Sequence, residues 1–211
     1  MKSATRRTIS AFGTLAAIAG IEHGTGEILQ GNTAPGGILI LSWPDTPFFQ
    51  VMVGEPAMTV VPNLLVTGIL AVLVSLVLLV WVWRFVHRKH GGLGLILISL
   101  LLLLVGGGFG PPLLGLILGV AATGIRSPLT WWRSHLPYGL RSFLGKLWRV
   151  SLLAGLLGWL FLFPGVNLLD TYANLSNMEL TILVTIIYAF GFLLLTIFLG
   201  LAYDSVRRDI V

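Results

Sequence analysis

The chain alternates between long apolar runs and shorter segments that hold nearly all of its charges. A helix needs about 20 mostly apolar residues to cross the hydrocarbon core of a bilayer. The apolar runs that reach or approach this length lie at residues 8–30, 63–85, 147–163 and 179–203. The pattern therefore predicts four membrane-spanning helices, separated by segments that face water or lipid headgroups.

The first apolar run has an alternative interpretation. The sequence from Ala17 to Ala19 resembles the A-x-A site at which a secretory signal is cleaved. However, Ser10 and Thr14 interrupt the run, and helical spacing continues past it to about Gln30. We favour a retained first helix.

Residues 91–125 are apolar but contain a break of glycine and proline at residues 106–112. They form either one broken helix or two short spans, 91–107 and 111–125, joined by a turn. Each arm would measure roughly 21 to 26 Å, less than the roughly 30 Å of a bilayer core. A hairpin of this size predicts local membrane thinning or a turn below the outer surface. The turn is either a plain interhelical connection or a re-entrant wall of a substrate path.

All thirteen Lys and Arg residues lie between the apolar runs or at their ends. Basic residues resist translocation and stay on the cytoplasmic side of a membrane. They occur at positions 2, 6, 7, 84, 88, 89, 126, 133, 141, 146, 149, 207 and 208. Only the hairpin interpretation places all of them on that side. The charges thus predict about six spans, cytoplasmic N- and C-termini, an outer loop at residues 31–61 and a cytoplasmic connector at residues 126–146.

Composition supports the same class of protein. Hydrophobic residues make up 56% of the chain and charged residues 10%, while a soluble domain carries about 25% charged residues. Mean hydropathy is +0.95. We therefore predict an all-α polytopic protein, one helical bundle embedded in the cell (cytoplasmic-type) membrane. Nucleic acid is not a predicted partner, because the basic residues flank apolar spans instead of forming one patch.

Small residues recur at four-residue spacing in two of the predicted spans. Ala16, Gly20 and Gly24 share one face of the first helix, and Gly115 and Gly119 share a face beyond the turn. Such faces let helix backbones approach closely in a membrane. They predict helix packing within the bundle, or contact with a partner membrane subunit or a second copy of the chain.

The connector at residues 126–146 mixes aromatic and basic side chains. We predict that it is amphipathic and lies on an anionic leaflet, because aromatic rings suit the headgroup level and basic groups attract acidic lipids. The residues expected at this lipid interface are Trp131, Trp132, Arg133, Arg141 and Lys146.

One ionisable cluster could lie within the membrane. Glu22, His23, Glu27 and Gln30 follow one another near the end of the first helix, with His23 and Glu27 one turn apart on the same face. Ionisable residues are costly in hydrocarbon and usually face a cavity or the bundle interior. We interpret the four as candidate ligand-binding residues at the outer mouth. The alternative is that the helix ends near Ile21 and water solvates them.

No catalytic motif is present, so no catalytic residue is assigned, and no cofactor is predicted. No metal site is predicted either, since one His with two carboxylates lacks ligands that a closed zinc site needs. Three functions stay open: a small-ligand binding or transport-type bundle, a non-catalytic membrane subunit or scaffold, and an intramembrane enzyme that uses His23. The first is our preferred hypothesis, and an enzyme is the least favoured.

Overall fold

The computed structural model describes residues 3–173 and 177–208, so the predicted cytoplasmic residue Lys2 lies outside the described part. Apart from one two-stranded hairpin, the described fold is all-α. The helices are α1 (Ala4–Leu29), α2 (Leu64–Arg84), α3 (Gly91–Leu104), α4 (Gly110–Thr123), α5 (Thr130–His135), α6 (Tyr138–Leu160), α7 (Val166–Ala173) and α8 (Met178–Arg207). The strands are β1 (Leu39–Leu41) and β2 (Pro56–Met58). A 3-10 turn, Pro47–Met52, lies between the strands, another, Gly124–Arg126, follows α4, and a π-helical turn, Phe161–Gly165, joins α6 to α7.

Three helical stretches of the described chain are long and apolar enough to cross a membrane. They are Leu64–Arg84, Tyr138–Ala173 and Met178–Arg207. Large apolar side chains such as Val77, Leu157 and Ile187 point outward from them and are more than half exposed. An apolar outer surface of this kind indicates a membrane protein, because lipid is the solvent that such side chains prefer.

The first helix, α1, lies at the centre of the bundle. It can carry more polar residues than the outer helices because other helices surround it. It packs against α2, α4, α6 and α8. Ile9, Phe12 and Ala16 are fully buried along it. The helix begins earlier than the sequence predicts, where the Ser3 hydroxyl accepts a hydrogen bond from the Arg6 amide at 3.0 Å. It continues to Leu29, so the alternative in which it ends near Ile21 is wrong.

The first and last helices are tied together at one end of the bundle. The Asp204 carboxylate on α8 accepts hydrogen bonds from the amides of Ala4 and Thr5 at 2.8 and 3.0 Å. These amides belong to the first turn of α1, where no helical carbonyl is available to them. Nearby, Arg208 donates to the carbonyl of Ile125 at 2.7 Å. We call this region the basic end.

The opposite end of the bundle carries the strands, and we call it the hairpin end. Strands β1 and β2 are antiparallel, with Ile40 opposite Ala57. Beyond β2, Thr59 forms an isolated bridge with Val105 in the turn between α3 and α4. The Gly106 amide of that turn donates to the Met58 carbonyl at 2.9 Å. The turn is therefore buried beneath the hairpin, and protein partners satisfy its backbone as a lipid environment requires.

The predicted small-residue faces lie at helix contacts inside the chain. A Cβ at Gly20 would collide with Ser75, and one at Gly24 would lie 2.7 Å from the Gly68 carbonyl oxygen, both on α2. Ala16 is fully buried on the same helix. Gly115 faces Ser99 and Gly119 faces Ile96, so the second face packs α4 against α3.

The structure of the connector at residues 126–146 differs from the sequence prediction. Its last residues, 138–146, already belong to α6. Trp132 is buried and its ring lies 4.6 Å from that of Phe198 on α8. Arg141 is also buried and donates to the Leu136 carbonyl at 3.1 Å. For these two residues the lipid-interface prediction is wrong, because both are buried against α8, where Trp132 packs on Phe198 and Arg141 donates to the Ser205 hydroxyl at 3.5 Å. Trp131, Arg133 and Lys146 are exposed.

Candidate functional site

His23 and Glu27 lie one turn apart on α1 and are both buried, with 2% and 0% of their surfaces exposed. Ser42, just after β1, bridges them. Its hydroxyl donates to Glu27 Oε1 at 3.3 Å and lies 2.9 Å from His23 Nδ1. Because a serine hydroxyl has one proton, His23 donates through Nδ1 in this arrangement. A neutral ring then keeps the lone pair of Nε2 free to accept.

Glu55 approaches the free nitrogen of His23 from the outer loop. Its Oε2 atom lies 3.6 Å from His23 Nε2, and the side chain is 5% exposed. Val53, Gly54 and Glu55 all have positive φ angles, of 57°, 70° and 57°. Non-glycine residues in this region are strained, and such strain is typically retained at functional sites. The loop thus keeps an unfavourable backbone where it brings a carboxylate to a buried histidine.

The environment of Glu55 changes its acidity. Burial raises the pKa of Glu55 from 4.5 to about 7, and a hydrogen bond from Asn167 on α7 opposes part of this rise. Desolvation disfavours the charged carboxylate. The folded protein therefore keeps a proton on Glu55 at pH values where the unfolded chain has lost it.

We expect this difference in pKa to make the folded state less stable as pH rises. Below pH 4.5 the carboxyl is protonated in both states, and between 4.5 and about 7 only the folded state retains the proton. Glu55 should contribute about 3 kcal/mol to the fall in stability through that window. Melting of the purified protein across pH 4 to 8, roughly the window set by these two states, measures the fall.

Glu55→Gln should make the pH profile shallower, whereas Asp45→Asn, which removes an exposed carboxylate of the same loop, should leave its slope unchanged. His23 and Glu22 on α1 are the titratable groups that face Glu55, and both are unchanged in the two variants. A Glu55→Gln profile as steep as that of the wild type would contradict the assignment.

The glycine turn between α3 and α4 closes the site from the opposite side. Gly106 and Gly108 have φ angles of 91° and 74°. A Cβ at Gly106 would collide with the Glu27 carboxylate, and one at Gly108 with the His23 ring. Glu27 Oε2 is buried there without a hydrogen-bond partner among the described residues. The turn and the α1 cluster, which the sequence presents as separate features, thus form one site.

The other two predicted site residues have different positions. Glu22 is half-buried and accepts a hydrogen bond from the indole nitrogen of Trp43. The Gln30 amide donates to the carbonyls of Leu41 and Ser42, each at 3.0 Å. Gln30 therefore fixes the start of the outer loop to α1 and does not line the cavity beside His23.

His23 and Glu55 lie on the wall of a cavity of about 640 Å³. The volume is in the range typical of small-molecule sites. Most of the lining is apolar, and the wall is formed by the outer loop, α4, α6 and α8 together with the π-helical turn. Its aromatic and polar members are His23, Glu55, Phe109, Trp159, Phe163, Glu179 and Phe190.

Ser42 and Glu55 are the site residues that sequence reasoning missed. Both come from the outer loop, and a lone Ser or Glu in a loop has no periodicity that marks it as buried. The one usable signal was the absence of any basic residue between 31 and 61. Among the described residues, no group of three or more His, Asp or Glu side chains is arranged to hold a metal ion.

Comparisons with known proteins identify no relative. No family model matches the chain, and no curated protein or solved structure does.

Proposed function

We propose that this chain is a six-span membrane protein with both termini in the cytoplasm, and that it binds a small ligand at its outer mouth for uptake or sensing. The sidedness rests on the contacts of Arg6 with the Trp83 carbonyl and of Arg208 with the Ile125 carbonyl at one end of the bundle, while the hairpin lies at the other. Basic ends stay in the cytoplasm. The hairpin end, with its cavity, then faces outward.

The observation that carries the proposal is the position of His23. Its ring stands between a large cavity and a buried chain of polar groups, Ser42 and Glu27. A proton that arrives at Nε2 can be balanced by release of the Nδ1 proton towards Ser42, so binding at the cavity is coupled to the charge of Glu27. Such histidine and carboxylate chains are typical of transporters that move protons or cations.

The scaffold hypothesis has weaker support. It uses two features, the small-residue faces and the aromatic and basic connector, to hold partner helices or lipids. Gly20, Gly24, Gly115 and Gly119 are all occupied by contacts between helices of the same chain. Partners would have to bind elsewhere.

An intramembrane enzyme is the second candidate, and the same hydrogen bonds favour it. Glu27 and Ser42 hold the His23 ring with Nε2 directed towards Glu55 and the cavity, which is the arrangement of an oriented general base. Chemical change of a bound ligand, absent in His23→Gln, would favour this candidate over simple binding.

Thiol labelling tests the topology, since the chain has no native cysteine. Gly36→Cys and Gly139→Cys are matched positions, both exposed and with no atom near an added Cβ. In intact cells, a membrane-impermeant maleimide should label Gly36→Cys, and should label Gly139→Cys only after the cells are opened. External labelling of Gly139→Cys would overturn the six-span proposal.

The same chemistry tests the outward cavity. Ile186→Cys would place a thiol on the cavity wall, whereas Val184→Cys, two residues away on α8, would face lipid. A charged methanethiosulfonate added outside should modify Ile186→Cys and leave Val184→Cys unmodified, because a thiol in lipid does not ionise. If Ile186→Cys is also unreactive, the cavity does not open outward and the proposed function fails.

A further inference from the structure

A second, smaller cavity lies on the other side of Glu55. Its volume is about 270 Å³, and it shares Glu55, Trp159 and Phe163 with the larger cavity. Its polar wall consists of Glu22, Glu55 and Asn167. Four aromatic residues complete the enclosure, namely Phe48, Phe49, Trp159 and Phe163.

Asn167, which lines this cavity, has an unused hydrogen-bond acceptor. The residue is 1% exposed, and its amide nitrogen donates to the Phe163 carbonyl at 3.0 Å. Its Oδ1 atom is buried and has no hydrogen-bond partner among the described residues. A buried polar atom without a partner costs about 1 to 3 kcal/mol, so a donor is expected to complete it.

The charges of the cavity wall also favour a ligand that donates hydrogen bonds, and specifically a positively charged one. Glu22 and Glu55 are close enough to repel each other, and none of the described residues that line the cavity is Lys or Arg. Trp43 donates one neutral hydrogen bond to Glu22. Buried carboxylates are unfavourable without a compensating positive charge, and this wall supplies none.

We propose that the small cavity binds the head of an organic ammonium ion, held by Glu22, Glu55 and Asn167 Oδ1. The proposal rests on the proposed function, because it names the chemical class of the ligand at the outer mouth. An ammonium group has three donors, which match these three acceptors. Aromatic rings around it attract a cation through their π faces. An inorganic cation such as Ca²⁺ would instead require roughly six to eight oxygens, more than the two carboxylates and one amide oxygen of this wall offer.

Binding of defined ammonium probes to the purified full chain tests the proposal. Butylammonium and phenethylammonium chlorides are titrated at about pH 9, above the pKa of about 7 that burial gives Glu55, and the change in tryptophan fluorescence gives the dissociation constants. Butan-1-ol and 2-phenylethanol have the same carbon skeletons without the charge. We expect each alcohol to bind roughly tenfold more weakly than its ammonium partner, or less well still.

Charge-removing variants locate the binding. Glu22→Gln and Glu55→Gln should each weaken ammonium binding roughly tenfold, since a charged hydrogen bond is lost. Glutamine keeps the size and the hydrogen-bonding groups of glutamate, so the fold should persist, and either variant is sufficient if the other does not fold. Asp45→Asn removes an exposed carboxylate of the outer loop and should bind as the wild type does. Ammonium affinity should also fall below pH 7, where Glu55 takes up its proton beside His23 and Glu22.

Three results would overturn the ammonium proposal. The first is equal affinity for an ammonium ion and its alcohol, and the second is that neither ammonium ion binds. The third is an equivalent Glu22-dependent response to NaCl or CaCl₂, which would indicate an inorganic cation. Labelling of Ile186→Cys separates these failures from failure of the proposed function. If external reagent reaches that thiol but no ammonium ion binds, the ligand class is wrong and the outward site is retained.

Discussion

Gly24→Leu is expected to destroy the contact between α1 and α2, and with it the stability of the bundle. A Cβ at Gly24 would lie 2.7 Å from the Gly68 carbonyl oxygen and 3.0 Å from the Ala71 Cβ atom. The approach is equally close from the side of α2, since a Cβ added at Gly68 would lie 2.7 Å from the Ile28 amide nitrogen on α1. The obstacle is backbone on both helices, which cannot rotate away as a side chain can.

The expected loss exceeds the 1 to 3 kcal/mol that is roughly typical of an overpacked core, because separated helices also lose their van der Waals contacts. We expect little monodisperse protein after detergent extraction. Gly191→Leu is the matched control, for it lies within α8 and has no atom within 4 Å of an added Cβ. Equal recovery of the two variants would show that α1 and α2 are not in close contact.

Gly108→Ala is expected to disrupt the candidate site directly. The residue has a φ angle of 74°, and its Cβ would collide with the His23 ring. The ring cannot move freely, because Nδ1 is bound to Ser42 and the surroundings are buried. Two costs therefore combine, a strained backbone of roughly 1 kcal/mol and a collision that displaces the histidine.

Gly31→Ala separates these two costs. Gly31 has a φ angle of 77° but nothing within 4 Å of an added Cβ, so only the backbone strain applies. Thermal melting should show a small loss for Gly31→Ala and a much larger one for Gly108→Ala. If the two losses are the same, the His23 ring is not held against the turn as described.

Sequence reasoning locates α2, the most apolar of the three long spans, closely because lipid imposes a simple rule on such a run. A run such as 63–85 must be helical to satisfy its backbone in an apolar solvent, and the observed helix Leu64–Arg84 differs by one residue at each end. The hairpin strands are only three residues each, and no apolar period distinguishes such short segments from other parts of a loop.

The candidate site is predictable only in part, for the same reason. His23 and Glu27 are identified by helical spacing because both belong to one helix. Glu55 reaches them through backbone angles that a glutamate rarely adopts, which no residue pattern records. For Trp132 and Arg141 the sequence predicts a lipid contact, but the structure shows both buried in protein. Aromatic and basic residues suit a headgroup layer and a protein contact equally well, so composition alone assigns them to lipid.

The Asp204 carboxylate has a consequence for the order in which the molecule is made. It holds the amides of Ala4 and Thr5, which precede it by 200 and 199 residues. A ribosome delivers α1 well before Asp204, so the first turn of α1 waits for its partner while the intervening helices are made. The central helix can pack on α2 early, but its starting turn becomes complete only when α8 has been inserted. A chain released before residue 204 would carry His23 and Glu27 on a helix whose beginning is still unsecured.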